Sequence, residues 1–254
     1  MRRALLAIAI AGAHALAPLG EGDAAKHAAR SAAASVRREV VRTQTPRATC
    51  DTCHRPPAVC VCAALPAAPI KTETSLLVLQ HPNEFRRRHF STTPLLPLCV
   101  DRCAVRVGYG FEADDLPQFR DAAEPPLLLF PAAGAAPLDA AAAGAGGRTV
   151  VLIDGTWAQA KAMARKSPSL FASATPVCFA DARASALEAV RREPEAHCVS
   201  TAEAAARALR LLEPTAAAAE AADRIEASLR LMVDHQLASI RDRPRERNAR
   251  VDRQ

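Results

Sequence analysis

The segment Val150-Val151-Leu152-Ile153-Asp154-Gly155-Thr156-Trp157 brings an apolar run, a carboxylate, a glycine and the only tryptophan of the chain together within eight residues. Four consecutive apolar side chains, three of them β-branched, predict a buried strand, and the pattern from Ala158 to Arg165 predicts a helix directly after it. A strand ending on Asp154 at a glycine turn sets the carboxylate on the carboxyl edge of a parallel sheet, where open α/β proteins bind ligands. The competing reading is that Asp154 only N-caps the helix and Trp157 is core. A second apolar run, Ser75–Leu79, ends on Gln80-His81-Pro82, so another strand end carries polar groups. Glu84 and the run Arg86-Arg87-Arg88 follow it. Such a run can grip phosphates, or it is a solvated face.

The cysteines suggest a different chemistry. Four of the eight are packed into Cys50-x2-Cys53-x6-Cys60-x-Cys62, with Pro56 and Pro57 between the pairs. Two close pairs on short turns can converge as four thiolates on one tetrahedral Zn²⁺. His54 is a spare candidate, but its place beside Cys53 makes joint ligation awkward. A disulfide pair is the alternative, which secretion would favour. Cys99, Cys103, Cys178 and Cys198 stand apart in apolar contexts and read as small core residues.

These groups need a framework, and 254 residues allow one large domain with small appendages. From residue 71 the chain alternates between strand and helix patterns. Strands are expected at 75–79, 104–107, 127–130, 150–153 and 176–179, with a helix or turn starting within 94–100. Residues 132–147 are low in complexity and read as a loop, while 201–212 and 216–237 read as helices. Ser185-x-x-Glu188 and Ser200-x-x-Glu203 both fit the capping box. The order implies a mostly parallel sheet with helices on both faces.

The net charge of +6 lies in the tails. Residues 1–49 hold 8 Lys/Arg against 3 Asp/Glu and 241–254 hold 6 against 3, which leaves 19 against 21 for 50–240. Bulk charge is therefore no argument that the core binds RNA. Residues 1–46 combine a basic start, an apolar run over 4–17, and an Ala-, Arg- and Ser-rich remainder poor in acids. That pattern reads as a targeting leader, resembling the two-part leaders of complex plastids, or as a disordered extension. It gives the divisions 1–46 leader, 47–70 four-cysteine module, 71–240 catalytic domain and 241–254 basic tail. No other stretch is apolar for long enough to span a bilayer, so no stable membrane association is expected, and no protein partner is implied.

Six ordered blocks resemble the DTW-domain family, the tRNA-uridine aminocarboxypropyltransferases. They are Cys50-x-x-Cys53 with Cys60-x-Cys62, Leu79-Gln80-His81-Pro82-x-Glu84, Leu128-Leu129-Phe130-Pro131, Asp154-Gly155-Thr156-Trp157, Ser185 with Arg191, and Ser200-Thr201-Ala202-Glu203-Ala204. The resemblance implies a SPOUT-like fold with a carboxyl-terminal trefoil knot, S-adenosylmethionine as donor, tRNA as acceptor and structural zinc on Cys50, Cys53, Cys60 and Cys62. It implies Asp154 as the base that frees N3 of a uridine. Donor-binding positions would be Leu79, Gln80, His81, Pro131, Gly155, Thr156, Trp157, Ser185, Arg191 and Thr201, and RNA-binding positions Glu84, Arg86, Arg87 and Arg88. The chain departs from the family where Thr93 precedes Pro94 and where Leu187 replaces a tyrosine. A SPOUT methyltransferase, or a zinc-bearing RNA-binding protein without catalysis, are the alternative functions.

Overall fold

The computed structural model describes residues 48–86, 91–132, 134–139, 147–181, 185 and 199–241. Within these residues the strands are β1 (Ser75–Gln80), β2 (Cys103–Val107), β3 (Leu127–Leu129), β4 (Ala136–Pro137), β5 (Thr149–Asp154) and β6 (Thr175–Cys178). The α-helices are α1 (Pro82–Arg86), α2 (Leu96–Cys99), α3 (Pro117–Arg120), α4 (Trp157–Arg165), α5 (Pro168–Ser173), α6 (Thr201–Leu212) and α7 (Ala216–Arg241). The strands form one sheet in the order β2-β1-β5-β3-β6-β4, and every neighbouring pair is parallel.

Side-chain alternation along the strands divides the core into two layers. Leu76, Val78, Val150 and Leu152 point to one face, where they pack with α2, α6 and α7 through Leu96, Leu209 and Ile225. Leu77, Leu79, Leu128 and Val151 point to the other, against Met163 of α4 and Leu170 of α5. Both faces of β1 and β5 are thus covered, which is why these strands are unbroken apolar runs rather than alternating ones. A third cluster joins the cysteine segment to α7, with Cys53, Val61 and Leu95 packed against Leu229, Met232 and Val233. Buried Glu213, just past α6, accepts hydrogen bonds from the backbone of Glu73 (3.1 Å) and Thr74 (2.8 Å), tying that helix to the entrance of β1.

The topology locates a binding crevice. After β1 the chain passes to α2 on the first face, and after β5 it passes to α4 on the second. Adjacent strands whose continuations go to opposite faces open a gap at their carboxyl ends, and that gap lies between Gln80 and Asp154.

Every expected strand is observed within a residue or two of its expected bounds, while the short helices α1, α3 and α5 lie outside the expected elements. Ala136–Pro137 forms a short edge strand on β6 inside the stretch read as a loop. Two residues carry no periodicity, and proline is tolerated at a sheet edge. Helix α7 also continues past Leu237 to Arg241. Among the described residues no helix is long and apolar enough to cross a membrane.

Candidate active site

Asp154 ends β5 directly opposite Gln80, the last residue of β1. Its two carboxylate oxygens are held by different elements. Gln80 Nε2 donates to Oδ2 at 2.7 Å, and Thr201 Oγ1, in the first turn of α6, donates to Oδ1 at 2.6 Å. Asp154 does not cap α4. Thr156 does, in a reciprocal capping box with Gln159: Thr156 N–H donates to Gln159 Oε1 at 2.7 Å, and Gln159 N–H to Thr156 Oγ1 at 3.4 Å. The capping reading of Asp154 is therefore wrong, because the residue two positions on already performs that task. Gly155 joins the two, and a Cβ there would come within 3.2 Å of Gln159 and 3.5 Å of His81.

The Gln80 side is buried and connected. Gln80 Nε2 also donates to Ser91 Oγ (3.3 Å), and the Ser91 carbonyl accepts from buried Arg55 (3.2 Å). A hydrogen-bonded path thus runs from the cysteine segment through Ser91 and Gln80 to Asp154. His81 N–H donates to the Asp154 carbonyl at 2.8 Å, and His81 Nδ1 accepts from Asn83 N–H at 3.1 Å, which places the neutral ring's proton on Nε2.

On the other side stands the amino end of α6. Ser200 and Glu203 form the expected capping box. Glu203 Oε2 also accepts from Ser185 Oγ at 2.7 Å. Thr92 Oγ1 accepts from Ala202 N–H (3.4 Å), so the amides of Ala202 and Glu203 are already engaged by Thr92 and Ser200. The amides of Ala202 and Glu203 are therefore not free for an anionic ligand.

Trp157 is not core. It is 39% exposed at the start of α4 and stacks on Phe130, with ring centroids 5.4 Å apart. Leu79, in contrast, is fully buried in the layer beneath α4 and α5, so its side chain does not reach the edge. Pro131 is exposed just beyond β3, and Arg86 is exposed at the end of α1. Glu84 Oε1 and Thr93 Oγ1 are buried without a hydrogen-bond partner. Arg87, Arg88, Glu188 and Arg191 lie outside the described residues.

The four sulfurs of Cys50, Cys53, Cys60 and Cys62 lie within 4.8 Å of one another, at 3.5 Å for Cys50–Cys62 and 3.7 Å for Cys53–Cys60. A disulfide needs about 2.05 Å. Four thiolates around zinc at about 2.3 Å stand about 3.8 Å apart, so the cluster fits a tetrahedral ion. Backbone N–H groups of Cys53 and Thr52 aim at the Cys50 sulfur and lower its pKa to about 6, while burial, then the neighbouring thiols, push Cys62 up to about 12. His54 takes a left-handed conformation, φ 54°, outside the cluster. His235 on α7 meets the Cys60 carbonyl at 3.1 Å.

Sequence reasoning missed Arg55, Ser91, Thr92 and Tyr109. The first three carry no motif; only the fold brings them to the site. Tyr109 had a signal, as the only tyrosine of a chain with 4% aromatics, placed just after a strand pattern.

The DTW domain matches residues 47–237. Relatives include tRNA-uridine aminocarboxypropyltransferase 2 of Macaca fascicularis, 36% identical over 173 residues, which cover 66% of this chain and 57% of the relative. The protein of that name from Drosophila melanogaster is 36% identical over 173 residues, covering 66% and 67%. tRNA-uridine aminocarboxypropyltransferase A of Arabidopsis thaliana is 32% identical over 195 residues, covering 66% and 74%. The chain thus spans between 57% and 74% of the length of these relatives. No solved structure matches the chain significantly. With its motif at the end of β5 and its cysteines and α6 inside the matched span, the chain belongs to the DTW domain family.

Proposed function

We propose that the protein is a tRNA-uridine aminocarboxypropyltransferase with Asp154 as its general base. The observation that carries this reading is the Asp154 carboxylate itself. It is fixed by Gln80 and Thr201 at the sheet's switch point and is not spent on capping. Each oxygen accepts one of these hydrogen bonds, so a lone pair remains on each for a substrate proton. S-adenosylmethionine, when bound, would supply the 3-amino-3-carboxypropyl group: the N3 lone pair of a uridine forms the new bond to the γ-carbon, the C–S bond breaks with its pair staying on sulfur, and neutral 5′-methylthioadenosine is freed.

The chain's own residues divide the remaining work. Asp154 accepts the N3 proton as the new bond forms, and Gln80 and Thr201 hold its carboxylate plane in one orientation. The donor's polar groups fit an edge where Glu84 Oε1 and Thr93 Oγ1 lack partners, and its adenine fits the exposed Trp157 ring, which is backed by Phe130. Gly155, Thr156, His81, Pro131 and Ser185 line or support this edge, and Arg191 is assigned from the sequence alone as a carboxylate or phosphate partner. Arg86, Arg87 and Arg88 take RNA phosphates.

Structural zinc on the four cysteines holds their segment against α7, and buried Arg55 offsets the excess negative charge of four thiolates. The SPOUT class with a trefoil knot is supported by an all-parallel sheet in which β5 enters between the earlier strands β1 and β3. The four divisions read from sequence are retained, and residues 1–46 direct the protein to an organelle, most simply a plastid. The deciding experiment incubates the protein with unmodified tRNA and S-adenosylmethionine. Release of 5′-methylthioadenosine and a 3-amino-3-carboxypropyl uridine in the digested tRNA support the proposal. S-adenosylhomocysteine would replace it with a methyltransferase, and no product at all would leave an RNA-binding protein.

A further inference from the structure

We propose that Tyr109 and Lys166 form a stacking site for a tRNA nucleotide beside the target uridine. This inference rests on the transferase reading. Tyr109 is 50% exposed, more than any other large aromatic side chain among the described residues, and it sits just past the carboxyl end of β2, next to β1 in the sheet. An exposed ring is informative only if it is held, and this one is held from two directions. Its ring meets His81 edge-on, with centroids 5.1 Å apart at 83°, and His81 in turn donates its N–H to the Asp154 carbonyl. Tyr109 is therefore one residue removed from the base.

The loop that carries the ring is clamped at both ends. Gly108 N–H donates to the Gln80 carbonyl at 3.1 Å, and Phe111 N–H to Ser167 Oγ at 2.9 Å. Between them, a Cβ on Gly110 would come within 2.7 Å of the Lys166 carbonyl, so glycine is required for the loop to lie on the α4–α5 junction. The same Lys166 places Nζ 5.4 Å from the Tyr109 ring centroid. Among the described residues it has no ion-pair partner. The ammonium lies over the ring, so a base stacks there by displacing it, and the displaced ammonium takes the phosphate of the same nucleotide.

The charges choose the occupant. On the α6 side of the edge stands Glu203, which repels a polyanion. On the α4 side stand Lys161, Lys166 and the exposed rings of Trp157 and Tyr109, with Glu112 and Asp115 in the pocket that Lys166 also lines, so the cations that face RNA are those at the two rings. A single-stranded RNA segment reaching Asp154 therefore approaches from the α4 side, and Tyr109 is the ring it meets on the β2 flank.

The test compares wild type with Tyr109→Ala, Tyr109→Phe and Lys166→Ala. It uses steady-state kinetics with tRNA and separate titrations of S-adenosylmethionine and tRNA followed by Trp157 fluorescence. Losing one base–aromatic stack should raise the tRNA KM and Kd of Tyr109→Ala by about 5- to 100-fold. Lys166→Ala should raise both about 3- to 10-fold, with the effect fading at high salt. Tyr109→Phe should stay near wild type, S-adenosylmethionine Kd should change less than about twofold, and melting temperatures should hold because the ring is exposed. Unchanged tRNA affinity in Tyr109→Ala, or an equal loss of donor affinity, overturns the stacking site while wild-type transfer stands. A wild-type protein that neither binds nor modifies tRNA overturns the transferase reading, and this one with it.

Discussion

Gln80 and Asp154 are the last partners of the six-residue parallel register between β1 and β5, and the Gln80 amide donates to the Asp154 carboxylate at 2.7 Å. Both side chains exist at this edge because two apolar strands end together, so the ladder itself sets the distance between them. Thr201 reaches the other oxygen from α6. Replacing Gln80 by Leu, or Thr201 by Val, removes one donor to an ionised group, about 1.5–3 kcal/mol of interaction. Each change should lower the rate at saturating substrates by about tenfold, with the double variant losing less than the product of the two because they orient one carboxylate. Rapid-quench product formation measures this; wild-type rates in both single variants would show that the carboxylate needs no orientation.

The four cysteines should bind one zinc per chain, and Cys50→Ser should loosen the segment from α7, seen as proteolysis near residue 50 and a lower melting temperature. Zinc requires thiolates, and Cys62 is held near 12 until the ion binds, so binding releases at least that proton. Zinc affinity should therefore rise about tenfold or more per pH unit between pH 6.5 and 7.5, measured by chelator competition. Absence of stoichiometric metal in protein made with ample zinc, or a pH-independent affinity, would contradict the assignment.

Glu213 is buried, yet its pKa lies below the usual 4.5, because hydrogen bonds from the Thr74 and Glu73 amides outweigh burial. A carboxyl with a depressed folded-state pKa contributes stability fully above about pH 4.5, and that contribution is lost as pH falls through the folded value. Glu213→Gln should cost about 1–3 kcal/mol at pH 7 and narrow its difference from wild type in acid. Urea melts at pH 7 and pH 4 test the sign; a gap that widens in acid would refute it.

Residues 1–49 fused to a fluorescent reporter should carry it into an organelle, and protein starting at Thr49 should fold and stay in the cytosol. A diffuse cytosolic signal from the fusion would reduce the leader to a tail.

What the sequence made legible follows from periodicity and spacing. Strand β5, the α6 capping box and the cysteine cluster were visible because each is a local pattern of residue types. Thr201 was visible only through family resemblance, and its bond to Asp154 spans 47 positions that no local rule connects. Arg55 and Ser91 were invisible because Arg55 meets the Ser91 carbonyl, and Ser91 the Gln80 amide, across separations in the chain that no local pattern connects. The Leu79 side chain lies in the α4 layer because strand alternation turns it there, one residue before the polar edge begins. The reading of Trp157 as core failed because the ring sits in the first helical turn, stacked on Phe130 rather than buried beneath it.

The central claim is that the Asp154 carboxylate removes the uridine proton, and the most direct measurement compares Asp154→Asn with Asp154→Ala for single-turnover rate, donor affinity and melting temperature. Asparagine preserves the shape, and the Thr201 hydroxyl can rotate to accept from its amide, so folding should change little. The transfer rate should nevertheless fall by about 10² to 10⁴ in both variants, the range for losing a general base, while S-adenosylmethionine binding by Trp157 fluorescence is retained. Asp154→Asn working at the wild-type rate would contradict the account and leave substrate positioning as the source of catalysis.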